Sequence, residues 1–503
     1  MTGTGYTWLL PVLVLLPLAG ALVLLAVPLL SDRLAAWIGT AIGGVTLLLS
    51  LLAAFVTWDR GFGRMQLQAR TDWISALGLE ASLGLDGVST PLVLLTALLA
   101  VLTCLHLTRA EPDRLLVVCV LTVTGGAIAT FTALDLLLFF VAFETVLIPM
   151  WFVIGVWGDG RQEGQPANAA ARFVLYTAAG SAVMLLGIIL VITRTGTSDI
   201  TELIQRGGAG LSATTQTVAA VLIVIGLAVK TPMWPLHTWL PPAHTIAPTT
   251  GSVLLAGVLL KLGTYGLVRV AVPILPAGMA NVAPWLGGFA VTGIVWAGLA
   301  CLVERDLKRL VALSSVAHMG FVLLGVASMT PTGLQGALFA NIAHGVVSAL
   351  LFFVVGALKD RQHSSDLQQL GPGLRDRMPR LGWLLTFGAV AGLGLPGLAV
   401  FWGELLAVAG AWQSSGLGML NRPFAVIAAA GTVIAAAYWL RVLRVLWQGR
   451  PEPGQGPDAT RHETVTMMPL VLATVGLGLV PGPLLGATAG VVRLLLPGGG
   501  AVP

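Results

Sequence analysis

LAVKTPMWPLHTWLPPAHTIAPTTGSVLLAGVLLKLGTYG, residues 227–266, is apolar enough to lie in a membrane and yet contains two of the chain's four lysines. A lysine at the middle of a membrane helix costs roughly 2.5 to 3.5 kcal/mol on insertion scales, so it should face a partner, a bundle interior or water. Lys230 and Lys261 are therefore candidate functional residues. The alternative is that a lysine extends along its own stem to the membrane interface.

Prolines follow Lys230 closely, at Pro232, Pro235, Pro241 and Pro242. Proline lacks an N–H and clashes with the carbonyl four residues earlier, so the helix that carries Lys230 is predicted to break here. In lipid, a broken helix is tolerated only inside protein or beside a water-filled cavity. Its interrupted backbone supplies polar groups at membrane depth, which an ion or proton carrier needs. The alternative is that the prolines only mark a helix end.

The composition indicates a polytopic membrane protein. Hydrophobic residues make up 56% of the chain and charged residues 10%, whereas soluble domains contain about 25% charged residues. The formal charge of +5 does not indicate nucleic-acid binding, because cations also set membrane topology. Cys104, Cys119 and Cys301 lie singly in or beside apolar runs, which predicts packing residues and neither disulfides nor an iron–sulfur site.

Fourteen apolar runs are long enough to cross about 30 Å of hydrocarbon, and no linker could hold a soluble domain, so residues 1–503 are predicted to form one transmembrane domain. With Lys230 and Lys261 set aside, loops after odd-numbered runs contain 17 Lys and Arg, and the opposite side contains 8. The positive-inside rule then predicts cytoplasmic odd loops and both termini outside the cytoplasm. The runs are Trp8–Leu30, Ala35–Trp58, Val88–Leu107, Leu115–Ala133, Leu136–Trp157, Ala169–Ile192, Val218–Pro241, Pro248–Ile274, Leu286–Val303, Leu310–Ala327, Leu334–Leu358, Leu381–Trp412, Pro423–Trp447 and Met468–Leu485.

Four further titratable residues within these runs are candidates for function. A lone ionised carboxylate at Glu144 would be too costly, so it should be protonated or paired, and Lys230 is the candidate partner. His318 and His344 have a reference pKa near 6.5 that suits proton relay, although a hydrogen bond between two helices would explain either residue equally well. Glu404 follows a second predicted helix break at Pro396; its alternative role is a carboxylate held by an amide or hydroxyl.

Equal spacing suggests an internal repeat. Glu144 and Lys230 are 86 residues apart, as are His318 and Glu404. The first pair falls on runs five and seven and the second on runs ten and twelve, with runs seven and twelve both broken. This pattern predicts two five-helix repeats, residues 113–274 and 286–447. Because five is odd, successive repeats enter from opposite faces, so they should be inverted.

Other chemistry is not indicated. His237 and His244 have no third ligand nearby in sequence, which argues against zinc, and they are predicted to bind carbonyls of the broken helix. The chain shows no nucleophile constellation and no phosphate-binding loop, so no cofactor or redox chemistry is predicted within it.

At these residues the sequence resembles the antiporter-like membrane subunits of respiratory complex I, the proton-pumping NADH:quinone oxidoreductase, and within that group chain M, or subunit 4. The run AH-x-x-AP-x-x-GSV-x-LAGVLLK-x-GTYG separates chain M from its L and N relatives. Further matching segments are LLLFFVAFETVLIPMWFVIG, LSSVAHMGFVLLG, NIAHGVVSALLFFVVG and GLGLPGLAVFWGE. Chain M usually has Asp where this chain has Pro242, which departs from the pattern.

The resemblance implies roles for the buried residues. It assigns Glu144 and Lys230 to a functional ion pair, Lys261 to the connecting position, and Glu404 to the terminal site. His318 and His344 would form the central polar axis. It also implies FMN, iron–sulfur clusters and quinone in partner subunits, contacts with chains of the L and N types and small membrane subunits, and a location in the bacterial inner membrane.

The resulting hypothesis is a proton-translocating subunit of complex I. Protons from the cytoplasm would load Lys230 under control of Glu144. Lys261, His318 and His344 would pass the charge laterally to Glu404 for release outside. Two alternatives stay open: a subunit of a multisubunit cation/proton antiporter or hydrogenase-linked pump, and a structural scaffold in which these residues only brace broken helices.

Overall fold

The first half of the chain forms long helices and, among the described residues, a β-hairpin. The computed structural model describes residues 6–55, 65–74, 79–110, 112–160, 164–449 and 456–496. The strands are β1 (Gln66–Ile74) and β2 (Leu79–Leu85). The helices are α1 (Leu9–Ala26), α2 (Asp32–Phe55), α3 (Ser89–Leu107), α4 (Arg114–Thr132), α5 (Leu136–Thr145), α6 (Leu147–Val156), α7 (Gln165–Thr195), α8 (Ile200–Arg206) and α9 (Ala213–Lys230).

The second half is helical, with two π turns, Leu255–Leu259 and Leu267–Ala271, that join three short helices into one span. The helices are α10 (Leu240–Ile246), α11 (Thr249–Leu254), α12 (Leu260–Gly266), α13 (Val272–Ile274), α14 (Pro276–Val303), α15 (Leu307–Ala327), α16 (Pro331–Gln362), α17 (Leu367–Leu370), α18 (Leu374–Arg377), α19 (Pro379–Gly392), α20 (Ala399–Gln413), α21 (Asn421–Trp447), α22 (Arg461–Leu479) and α23 (Gly482–Leu495).

Within the described ranges, thirteen spans are long and apolar enough to cross a membrane. They match the predicted runs except the twelfth, which is divided into α19 and α20. With this broken span included, the structure agrees with the fourteen predicted runs. The predicted all-α polytopic membrane fold is confirmed, and the chain is a multi-pass membrane protein.

Both predicted helix breaks are present. The chain leaves α9 at Lys230 and resumes helix only at α10, where Pro241 and Pro242 lie in the first turn. Proline is tolerated in a first turn because those N–H groups have no helical partner. In the twelfth span, Gly394 and Gly397 have φ of +72° and +93°. These left-handed conformations favour glycine and redirect the chain between α19 and α20.

A third break was not predicted and lies in the fifth span. Helix α5 ends at Thr145 and α6 begins at Leu147, so the predicted run Leu136–Trp157 is interrupted directly after Glu144. Pro149 explains the position, because it cannot donate to the carbonyl of Thr145 and its ring crowds that carbonyl. Glu144 therefore lies beside irregular backbone.

The hairpin lies between the second and third predicted runs, Ala35–Trp58 and Val88–Leu107. Arg70 pairs with Ser82 in register, and Leu134 N donates to Ser82 O at 2.8 Å. Arg70 also forms an ion pair with Asp199 at 3.1 Å. The hairpin thus ties the α2–α3 connection to the ends of α4 and α7.

The most buried helices are at the centre of the bundle. In the spans Thr249–Ile274 and Pro331–Gln362, every residue of an 18-residue apolar stretch is buried. In α1 the buried share of such a stretch is 33%. Helix α15 is nearly as enclosed, at 94%. These central helices carry Lys261, His344 and His318.

Candidate functional site

Glu144 and Lys230 lie together, as predicted. Lys230 Nζ is 3.9 Å from Glu144 Oε1, and the side chains are 2% and 24% exposed. Lys230 Nζ also donates to Phe143 O at 2.7 Å and lies 3.6 Å from the centre of the Phe143 ring. Ser181 Oγ donates to Glu144 Oε1 at 2.6 Å. At this distance the ammonium and the carboxylate are not in hydrogen-bond contact, so the ion pair can become either closer or wider.

Two helix ends position this pair. Lys230 is the last residue of α9, where the helix dipole favours a cation. Glu144 is next to the last residue of α5, which stops because of Pro149. Trp239 beyond the seventh-span break donates its Nε1 to Val229 O at 2.9 Å, and this bond occupies one carbonyl that the break exposes.

Four other predicted residues form a continuous row in the bundle centre. Lys261 Nζ is 2.6 Å from His344 Nδ1, and the His344 and His318 ring centres are 5.8 Å apart. His318 Nδ1 is 3.0 Å from Glu404 Oε1. Lys261 is 0% exposed, His344 4% and Glu404 5%. The row therefore contains an amine, two imidazoles and a carboxylate, with little access to solvent in this chain.

The contacts define which protonation states the row can hold. A lysine ammonium has only donors, so His344 Nδ1 accepts from a charged Lys261 and the ring then carries its proton on Nε2. Lys261 Nζ also donates to Ala256 O. His344 Nε2 has no hydrogen-bond partner among the described residues. A proton passed from Lys261 to Nδ1 would leave His344 doubly protonated, next to His318.

Local structure around Lys261 brings its side chain to α16. The two π turns lie on either side of α12, which carries Lys261; π turns often occur at functional sites. Gly345 faces this side chain, and a Cβ there would lie 3.2 Å from Lys261 Cε. Asn341, one turn earlier, donates to Thr264 Oγ1 at 2.6 Å and so fixes the two helices in register.

The six predicted residues do not form one set. In the part of the chain that the structure describes, no hydrogen bond or ion pair joins Lys230 to Lys261. The Glu144–Lys230 pair stands apart from the Lys261–Glu404 row. The equal spacing of 86 residues corresponds to one contact in each group, Glu144–Lys230 and His318–Glu404.

Sequence reasoning missed two buried cations. Lys308, which the topology argument counted as a loop residue, is 2% exposed and donates to Ala247 O. Arg269, also counted as a loop residue, is 1% exposed and is paired with Asp86. Arg269 Nε donates to Tyr265 Oη at 3.2 Å. The available signal was position, because Arg269 lies within the predicted run Pro248–Ile274 and Lys308 lies two residues before the run Leu310–Ala327.

One histidine of the broken seventh span, His244, differs from the prediction. His244 is 0% exposed and neither ring nitrogen has a hydrogen-bond partner in the described residues. The predicted bond to a carbonyl of the broken helix is therefore wrong for His244. Its ring instead stacks on Phe352, with centres 4.5 Å apart and planes at 4°.

Comparison with known proteins identifies the family. The family described as NADH:quinone oxidoreductase/Mrp antiporter, TM, matches residues 133–430. The chain belongs to this family. Within it, subunit M of NADH-quinone oxidoreductase from Rhodobacter capsulatus is 37% identical over 94% of this chain and 93% of its own length. The predicted resemblance to chain M is confirmed.

Two solved structures share the fold of this chain. A chain of respiratory complex I from Thermus thermophilus with bound NADH aligns with a TM-score of 0.86 at 29% identity, covering 97% of this chain and 99% of that chain. A chain of the Mrp complex from Dietzia sp. DQ12-45-1b aligns with a TM-score of 0.85 at 22% identity, covering 98% of both. The similarity to the Mrp complex chain shows a common fold.

Proposed function

We propose that this chain is the M-type antiporter-like subunit of a proton-pumping NADH:quinone oxidoreductase in the bacterial inner membrane, and that it carries protons. The observation that supports this most directly is the buried Lys261–His344–His318–Glu404 row. Each member can bind and release a proton, and neighbouring members are within hydrogen-bond or ring-contact distance. A structural core would have no need to bury four such groups in series.

In the proposed cycle, a proton from the cytoplasm loads Lys230, and the distance to Glu144 controls how well the charge is held. At 3.9 Å, the attraction is worth about 4 kcal/mol at an effective dielectric constant of 20. Opening the pair removes that stabilisation of the ammonium, so Lys230 gives up its proton towards Lys261. Charge then moves along the row from Lys261 to Glu404, which releases a proton outside.

The driving force would come from partner subunits. NADH oxidation and quinone reduction would take place on FMN, iron–sulfur clusters and quinone held by other chains, and rearranged buried charge would bias the membrane subunits. The partners of this chain would be L-type and N-type chains and small membrane subunits. The cargo is the proton.

We also propose that residues 113–274 and 286–447 are inverted repeats, because two matching junctions support them. Ser198 Oγ donates to Asp135 at the start of α5, and Ser365 Oγ donates to Asp306 at the start of α15. In each junction the two chain segments also form a backbone bridge. Four spans precede the first junction and nine precede the second, so the two junctions would lie on opposite membrane faces. If they are equivalent, Ser198→Ala and Ser365→Ala should lower the complex's melting temperature by similar amounts.

The proposed orientation has both termini outside the cytoplasm, with Asp306 on the cytoplasmic face and the hairpin outside. Single cysteines introduced at Glu80 and at Arg309 would test this orientation. In intact cells an impermeant maleimide should label the first position and not the second. The reverse result would invert the topology.

Glu144→Gln and Lys230→Ala test the function. Removing one partner of a buried pair leaves the other uncompensated, typically at about 3 to 5 kcal/mol. Both variants should abolish this chain's share of NADH-driven proton pumping in sealed vesicles, while artificial-acceptor reduction continues. Glu202→Gln, an exposed carboxylate, is the matched control and should pump normally.

The same experiment separates the alternatives. Normal pumping in both variants would contradict a role in transport and favour a scaffold. A sodium gradient formed by the purified complex without NADH would favour the cation/proton antiporter. Copurification with flavin- and iron–sulfur-bearing chains that oxidise NADH would support the oxidoreductase.

A further inference from the structure

One oxygen of Glu144, Oε1, lies between two donors. Ser181 Oγ donates to this oxygen at 2.6 Å, whereas Lys230 Nζ is 3.9 Å from the same oxygen. Hydrogen bonds from N–H to oxygen in proteins measure about 2.7 to 3.2 Å, so of these two donors only the serine is bonded to the carboxylate. The Glu144–Lys230 pair is therefore in an open arrangement, and a hydroxyl bonds the oxygen that the ammonium would bond in a closed one.

Lys230 is held by a different partner. Its ammonium donates to Phe143 O at 2.7 Å and lies 3.6 Å from the centre of the Phe143 ring, whose face attracts a cation. An ammonium has three donors, so it could also bond Glu144 if the carboxylate moved closer. The Glu144 side chain has the freedom to do so, because it is 24% exposed and lies beside the break between α5 and α6.

Ser181 cannot follow such a movement, because α7 and α9 are in close contact next to it. A Cβ at Gly180 would lie 2.9 Å from Val229 Cβ, and a Cβ at Gly226 would lie 2.5 Å from Gly180 O. Gly180 directly precedes Ser181, and Val229 directly precedes Lys230. This contact fixes the two helices where they carry the hydroxyl and the amine, so the carboxylate is the part that can move between them.

The Ser181 hydroxyl also differs from a neighbouring one on the same helix. Serine and threonine inside a helix often donate to the carbonyl four residues earlier. Thr177, one turn before Ser181, does so, and its Oγ1 donates to Phe173 O at 2.6 Å. Ser181 Oγ instead donates to a carboxylate on α5, and hydrogen bonds to an ionised group are about twice as strong as neutral ones.

We propose that Ser181 is a positioning residue that holds the Glu144–Lys230 pair open. While the carboxylate stays on Ser181, its attraction for the ammonium is weakened and Lys230 releases its proton. When the carboxylate moves to Lys230, the ammonium is stabilised and the proton is retained. The serine itself neither gains nor loses a proton. This role rests on the proposed proton-carrying function, in which Lys230 binds and releases the proton.

A simpler role for Ser181 is to satisfy one oxygen of a partly buried carboxylate. Ser181→Ala separates the two roles, and alanine fits in the space of serine, so the complex should assemble. With the simpler role, the variant would lower the melting temperature and the assembled complex would pump normally. With the positioning role, losing a hydrogen bond to a charged group shifts the balance from open towards closed pairs by about 10-fold or more. The proton-to-electron ratio should then fall towards that of Lys230→Ala.

Two further substitutions on α7 are the controls. Ser181→Thr keeps the hydroxyl and should keep the wild-type ratio. Thr177→Val removes a buried hydroxyl whose hydrogen bonds lie within α7, and it should also keep the wild-type ratio.

The first measurement is the proton-to-electron ratio of the intact complex in sealed vesicles, with assembly checked by NADH oxidation with an artificial acceptor. The second is the infrared difference spectrum. A carboxylate band that is absent from Glu144→Gln belongs to Glu144, and it should change position in Ser181→Ala and stay in place in Ser181→Thr.

Three results would overturn the role of Ser181 and leave the proposed function intact. The first is a wild-type ratio in Ser181→Ala beside a lowered ratio in Lys230→Ala. The second is an unchanged Glu144 band in Ser181→Ala, because the hydroxyl would then not bind the carboxylate. The third is an equal loss in Ser181→Thr and Ser181→Ala, because packing and not the hydroxyl would then matter. A wild-type ratio in both Lys230→Ala and Glu144→Gln would instead refute the proposed function.

Discussion

Replacing Glu404 tests whether the end of the buried row must titrate. Its Oε1 is 3.0 Å from His318 Nδ1 and its side chain is 6% exposed. A hydrogen bond to a charged group contributes about 1.5 to 3 kcal/mol. A free energy of that size corresponds to roughly a 10- to 150-fold change in an equilibrium constant. Glu404→Gln and Glu404→Ala should therefore lose most of this chain's pumping.

Glu404→Lys should retain more pumping than either variant. A lysine at this position can donate to His318 Nδ1 as Lys261 does to His344 Nδ1, and it keeps a group that binds and releases a proton. Complexes with each variant would be assembled, checked by NADH oxidation with an artificial acceptor, and compared for proton-to-electron ratio in sealed vesicles. Gln413→Ala at the exposed end of α20 is the control.

Two outcomes would refute this reasoning about Glu404. Near wild-type ratios in the glutamine and alanine variants would remove the residue from the proton path. An inactive lysine variant beside an active alanine variant would show that packing at the break between α19 and α20 matters, and that titration does not.

Further predictions concern packing and buried charge. A Cβ at Gly403 would lie 2.5 Å from a backbone atom of α16, so Gly403→Val should prevent assembly of the complex. A Cβ at Gly476 would have nothing within 4 Å, so Gly476→Ala should leave assembly unchanged. Blue-native electrophoresis measures the assembled complex in both variants. Asp86→Asn leaves Arg269 buried without its counterion and should cost about 3 to 5 kcal/mol, against about 0 to 1 kcal/mol for the exposed Glu202→Gln. Equal melting temperatures for the Asp86 and Glu202 variants would contradict this assignment.

Some structural features that the sequence analysis did not predict have a recognisable local sequence pattern, and others have none. The hairpin was readable, because apolar and polar residues alternate along β1, as in Leu67, Gln68 and Ala69, and this period indicates a strand. Pro149 likewise marked the break in the fifth span. The π turns around Lys261 had no such signal, since they depend on how the central span packs against its neighbours.

Counting Lys and Arg along the sequence shows a second limit of prediction from sequence, which concerns buried cations. The count, which served to predict the orientation, treated these Lys and Arg residues as loop residues in solvent. It did not reveal that Lys308 and Arg269 are covered, because coverage depends on distant segments. Lys308 is enclosed at the end of α10, and Arg269 is enclosed by the start of α3.

The sequence by itself determined the membrane class, the spans, the breaks in the seventh and twelfth spans, and six candidate titratable residues within the spans. These follow from local causes: the length of apolar runs, the missing proline N–H, and the cost of charge in hydrocarbon. Only the tertiary structure decided how those residues group. It separates Glu144 and Lys230 from the row that ends at Glu404, and it places Lys308 against the end of α10, because proximity between helices is set by packing across the bundle and not by spacing along the chain.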